Sequence, residues 1–132
     1  MFFSKNTSRA QSSIETLIGE GTKIFGDVEF GGGLRVDGSI SGKVSELEGH
    51  ECTLVLSESA RIEGGIKASH VLLNGKVTGP VYAAQYIELQ SKARVTGDVY
   101  YKTLEIHLGA VIEGRLIYQG DDQAVQSLTN NE

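Results

Sequence analysis

Three histidines, one cysteine and one glycine-rich segment are the residues of this chain with the best claim to chemistry. His50, His70 and His107 could hold zinc, whose ligand atoms must sit about 2.0–2.1 Å from the ion. His70 and His107 stand 37 residues apart, however, and no cysteine or carboxylate spacing completes a ligand set. No metal is expected. Gly38-Ser39-Ile40-Ser41-Gly42-Lys43-Val44 approaches a phosphate-binding loop. Three residues rather than four separate its glycines, and Val44 stands where Ser or Thr must meet magnesium. No nucleotide or other cofactor is expected. Cys52 is alone and reads as a small, partly buried residue rather than a reactive thiol. No nucleophile has a base beside it, so no catalytic residue is assigned.

The same glycines have a simpler role in an internal repeat. The motif apolar-x-Gly-x-apolar occurs as Ile24-Phe25-Gly26-Asp27-Val28, Ile62-Glu63-Gly64-Gly65-Ile66, Val95-Thr96-Gly97-Asp98-Val99 and Ile112-Glu113-Gly114-Arg115-Leu116. Six positions before each stands another apolar residue: Ile18, Leu56, Leu89 and Ile106. Between the copies lie two doubled forms, 36–44 and 73–81, offset by 37 residues. One glycine per repeat (Gly26, Gly42, Gly64, Gly79, Gly97 and Gly114) gives a mean period of about 17.6 residues.

Apolar residues alternating over such short stretches predict strands. Three short strands per repeat make one coil of a β-solenoid, and each coil lies ~4.8 Å above the last. Glycine lets the chain bend at the corners without a side-chain clash. Six coils give a rod of about 29 Å. The polar stretch Ser45–Thr53, with three glutamates, is predicted as a loop inserted between repeats. Lys23, Arg35, Arg61 and Arg94 precede the first apolar residue of the motif, while Asp37, Glu63 and Glu113 follow it, as expected of a solvated outer wall. A solenoid transferase with an active site between subunits is the alternative, but strict six-residue repeats are absent. An ice-binding solenoid would need a flat threonine array, and the eight threonines are scattered.

Composition agrees with this picture. The 132 residues suit one domain. They include 17 glycines and one proline, with no Gly-X-Y period, which excludes collagen and disfavours long helices. A net charge of −5 argues against nucleic acid as a partner. Residues 1–13 carry +2 and residues 120–132 carry −3. No apolar run approaches the ~18 residues of a membrane span, and Lys5 ends the apolar start too early for a secretory signal. The expected compartment is the cytoplasm.

The order of these motifs resembles the bactofilins, bacterial polymer-forming cytoskeletal proteins. The resemblance covers roughly residues 14–117 plus the N-terminus. It rests on Thr16-Leu17-Ile18-Gly19-Glu20-Gly21-Thr22, on the alternation of single and doubled motifs, and on the closing Gly109-Ala110-Val111-Ile112-Glu113-Gly114. The repeats predict an all-β, single-domain β-helix of about six coils over residues 14–118, with a flexible tail at 1–13 and a disordered tail at 119–132, and the resemblance implies that the helix is right-handed. It also implies filaments formed without nucleotide. The same resemblance implies a non-enzymatic scaffold on the inner face of the cytoplasmic membrane, gathering cell-wall enzymes or morphogenetic proteins.

Two sets of residues follow as candidate sites. A solenoid exposes unpaired backbone and the end of its apolar core at both ends. Ile18, Ile24 and Val28 at one end, and Ile106, Ile112 and Leu116 at the other, are the predicted polymerisation interface. Met1, Phe2, Phe3 and Lys5 set apolar side chains beside positive charge. Together they are the predicted membrane-targeting start, each tail binding weakly and many tails on one filament binding tightly.

Overall fold

Apolar alternation broken every few residues by glycine leaves room only for short strands, and the computed structural model, which describes residues 13–120, has no helix among them. The first coil holds β1 (Ile14–Ile18), β2 (Lys23–Phe25) and β3 (Val28–Phe30). The second holds β4 (Gly33–Val36), β5 (Ser39–Ser41) and β6 (Val44–Glu46). The third holds β7 (Thr53–Leu56), β8 (Arg61–Glu63) and the first half of β9 (Ile66–Leu73), which rounds a corner to open the fourth. That coil continues through β10 (Lys76–Thr78) into β11 (Val81–Leu89), which likewise opens the fifth. β12 (Arg94–Thr96) and β13 (Val99–Tyr101) complete the fifth coil, and β14 (Leu104–Ile106), β15 (Val111–Glu113) and β16 (Leu116–Tyr118) form the sixth. Every pairing is parallel and joins one coil to the next. The molecule is therefore a β-solenoid of six coils with three faces.

Register turns the sequence motif into columns. On the first face Ile18, Val36, Leu56, Leu73, Leu89 and Ile106 stack in line. On the second face the column is Ile24, Ile40, Ile62, Val77, Val95 and Ile112. On the third it is Val28, Val44, Ile66, Val81, Val99 and Leu116. Their interior members form the buried core. Each such side chain contributes about 1.5–3 kcal/mol relative to exposure.

The corners between the second and third faces belong to the glycine column. A methyl group on Gly114 would strike the carbonyl of Gly97, and one on Gly97 would sit 2.5 Å from the carbonyl oxygen of Gly79. The coils can stack at strand spacing only because nothing projects there. Beside these glycines Asp27 and Asp98 reach one coil up, where their Oδ1 atoms accept the backbone N–H of Lys43 (2.8 Å) and Arg115 (2.9 Å). The Arg115 guanidinium, at 2.9 Å, holds the Asp98 carboxyl below the usual carboxylate range.

The predicted inserted loop is shorter than 45–53. Ser45 and Glu46 belong to β6 and Thr53 opens β7, so only residues 47–52 form the longer corner.

Candidate assembly ends

The six residues predicted as an interface are the two ends of the three columns just described. Ile18, Ile24 and Val28 lie in the first coil, and Ile106, Ile112 and Leu116 in the sixth. β1, β2 and β3 pair only with the coil above, and β14, β15 and β16 only with the coil below. Each terminal coil therefore presents one row of backbone N–H and C=O groups with no strand partner among the described residues. The apolar columns end with it. Leu89 and Val99 are fully buried (0%), whereas Ile106 and Leu116, next in the same columns, are 45% and 44% exposed. The first coil is better covered: Ile18 is buried, and Ile24 and Val28 are partly buried against the core.

Near the sixth coil the solenoid also assembles a polar cluster. Glu88 and Glu105 are register partners on the first face. His107 Nε2 lies 2.8 Å from Glu88 Oε2 and 3.3 Å from Glu105 Oε2. The buried Tyr86 hydroxyl donates to Glu105 Oε1 at 2.6 Å. Glu88, Glu105 and His107 each offer a ligand atom within 4.8 Å of the others, a geometry that could hold a metal ion. Sequence spacing missed this set because its members come from adjacent coils. The signal was present, since Glu88 precedes Leu89 as Glu105 precedes Ile106, and those two apolar residues were already equivalent in the repeat.

The family model for bactofilin, described as polymer-forming cytoskeletal, matches residues 16–117. The chain belongs to the bactofilin family. Bactofilin BacO of Myxococcus xanthus (strain DK1622) is 31% identical over 101 residues, a match that spans 76% of this chain and 77% of BacO. Bactofilin BacP of the same organism is 24% identical over 116 residues, covering 88% of this chain but 47% of BacP, so this chain spans about half the length of that relative. No solved structure gives a significant match. Membership of a polymer-forming family implies self-association, and no described helix is long and apolar enough to cross a membrane. The predicted membrane-targeting residues Met1, Phe2, Phe3 and Lys5 lie outside the described residues.

The longer corner of this bactofilin is pinned rather than loose. Glu46 Oε1 accepts the backbone N–H groups of Cys52 (2.9 Å) and Ser69 (2.8 Å), and its Oε2 accepts the Ser69 hydroxyl at 2.9 Å. Cys52 is buried there, and burial pushes its thiol up from the ordinary range, which makes it a poor nucleophile. His70 is register partner to Thr53 below and Tyr86 above, and is buried with no hydrogen-bond partner for Nδ1.

Burial lowers the pKa of His70 despite the opposing pull of Glu51 and Glu46. The unfolded chain then binds its proton first as pH falls below the ordinary histidine value of about 6.5. The contribution of His70 to stability is therefore full above that pH. It declines below it, down to the lowered folded pKa, by up to about 1.4 kcal/mol per pH unit. Urea unfolding at pH 7 and pH 5 should show this loss in the native chain and a smaller one in His70→Asn. Equal losses in both would exclude His70 as the source.

Proposed function

We propose that this bactofilin is a non-enzymatic cytoskeletal scaffold. Its solenoids stack end to end into filaments without nucleotide. The filaments lie on the inner face of the cytoplasmic membrane, held by Met1, Phe2, Phe3 and Lys5, and position cell-wall or morphogenesis proteins. The observation that carries this reading is the pair of terminal coils, where three apolar columns and three strand edges stop together. Stacking a second solenoid there buries Ile106, Ile112 and Leu116 and gives the terminal strands a second partner. Edges of this kind are templates for pairing unless covered. Family membership supports the polymer itself.

The test is negative-stain electron microscopy of the purified full-length chain with no nucleotide added. Filaments many times longer than the roughly 29 Å of a six-coil rod are expected. Discrete particles of one or a few subunits at every concentration would overturn end-to-end stacking.

A further inference from the structure

The three outer faces differ in chemistry. On the first, Leu17, Arg35, Val55, Leu72, Glu88 and Glu105 stack outward. On the third, the outward column includes Lys67, Tyr82 and Tyr100, with the two tyrosine rings stacked at 4.2 Å. The second face is basic. Arg61, Lys76 and Arg94 are consecutive register partners in β8, β10 and β12, and all three are exposed.

Three cations in register at strand spacing, about 4.8 Å, repel one another. None of the three forms an ion pair among the described residues. The carboxylates on the same outer surface, Glu63 and Glu113, lie two positions along their strands; Glu113 lines one groove with the ladder, but neither forms an ion pair with it among the described residues. Exposed Lys92 adds a fourth positive charge, lining the same groove as Arg61, Lys76 and Arg94, where Glu58 is the one carboxylate against four cations. At the first-coil end of this face Phe25 is 81% exposed, two residues from Lys23. An exposed aromatic ring beside a row of cations, on one flat face of stacked strands, is the chemistry of an anionic membrane interface.

We infer that the second face is the side of the solenoid that lies against anionic lipid, with Arg61, Lys76 and Arg94 meeting the headgroup phosphates and Phe25 entering the interface. The inference rests on the membrane reading above but not on the N-terminal anchor. In a filament of stacked solenoids the ladder recurs once per subunit, so weak contacts add along its length.

The experiment is co-flotation of the full-length chain with vesicles of equal parts phosphatidylglycerol and phosphatidylcholine. Four proteins are compared: the native chain, Arg61→Gln/Lys76→Gln/Arg94→Gln, a charge-matched control Lys43→Gln/Lys67→Gln/Lys102→Gln, and Phe2→Ser/Phe3→Ser/Lys5→Ser. Each cation contributes about fivefold to partition, so the ladder variant should bind about a hundredfold more weakly than native. The control should keep most of its binding. The ladder variant should melt at or above the native temperature, because it loses repulsion rather than contacts. Loss in the ladder variant with the N-terminal variant still bound supports the inference and removes the N-terminal anchor. Loss in the N-terminal variant with the ladder variant unchanged leaves the anchor standing and overturns the inference. Equal loss in ladder and control variants overturns it as an effect of net charge alone. So does a ladder variant that floats normally but loses binding to a DNA duplex. If the native chain itself does not float, both membrane readings fall.

Discussion

Gly97→Ala should destabilise the solenoid by about 3–5 kcal/mol, while Gly21→Ala should change it by less than about 0.5 kcal/mol. The two substitutions add the same methyl group to the same residue type. At Gly21 the new carbon meets nothing within 4 Å. At Gly97 it meets the backbone of the coil below, 2.5 Å from the Gly79 oxygen and 2.7 Å from the Gly79 carbonyl carbon. The Gly97 φ of 144° is also one that L side chains rarely adopt. Neither obstacle can move cheaply, because the atoms met are backbone that is itself hydrogen-bonded: Gly79 N–H donates to the Thr96 carbonyl at 2.8 Å. The two urea midpoints, measured side by side, decide the matter. A Gly97→Ala midpoint close to that of Gly21→Ala would mean the corner can widen and the glycine column is not what sets coil spacing.

Ile112→Arg should abolish sedimentable polymer while leaving the fold intact, whereas Ile62→Arg should unfold the chain. Both residues belong to one column. Ile62 has a coil above and below and is fully buried. An arginine there would be an unpaired charge in the core, a cost of several kcal/mol. Ile112 has a coil on one side only, so an arginine can bend out of the open end and keep its charge in water. A second solenoid stacked on that end would trap the charge, and assembly should fail. Pelleting measures the polymer and far-ultraviolet circular dichroism the fold. Ile112→Arg protein that is folded and still forms filaments in native amount would remove the sixth coil from the interface.

The columns could be read before the structure because a solenoid writes its geometry locally. Ile18, Leu56, Leu89 and Ile106 share a column because each stands six positions before the next-face residue, and that step is fixed by one corner. The corner glycines were legible for the same reason. What escaped was set by neighbours a full coil away. Nothing in the sequence marks Ser69 and His70 as buried, yet β9 rounds its corner without leaving the sheet and Glu46, from the coil below, closes over Ser69. The limits of the longer corner were misplaced because Glu46, one of three glutamates in that stretch, is strand and bonds inward, while Glu48 and Glu51 stay exposed. Arg61 and Arg94 read in sequence as part of a solvated wall, but Lys76 does not join them there: the register that sets it between Arg61 and Arg94 depends on how doubled and single motifs align in space.

Each coil touches only the coils before and after it, so the free energy of this molecule accumulates along one axis. Fluctuations should follow the same axis. Amide hydrogens of the first and sixth coils should exchange soonest, by fraying that breaks contacts on one side only. Those of β9 and β11, each bridging two faces in the middle of the stack, should outlast them. Adding a subunit at an open end converts a fraying coil into an interior one. Growth of the filament and completion of the fold are then a single ordering process, and a polymer of this kind melts from its tips.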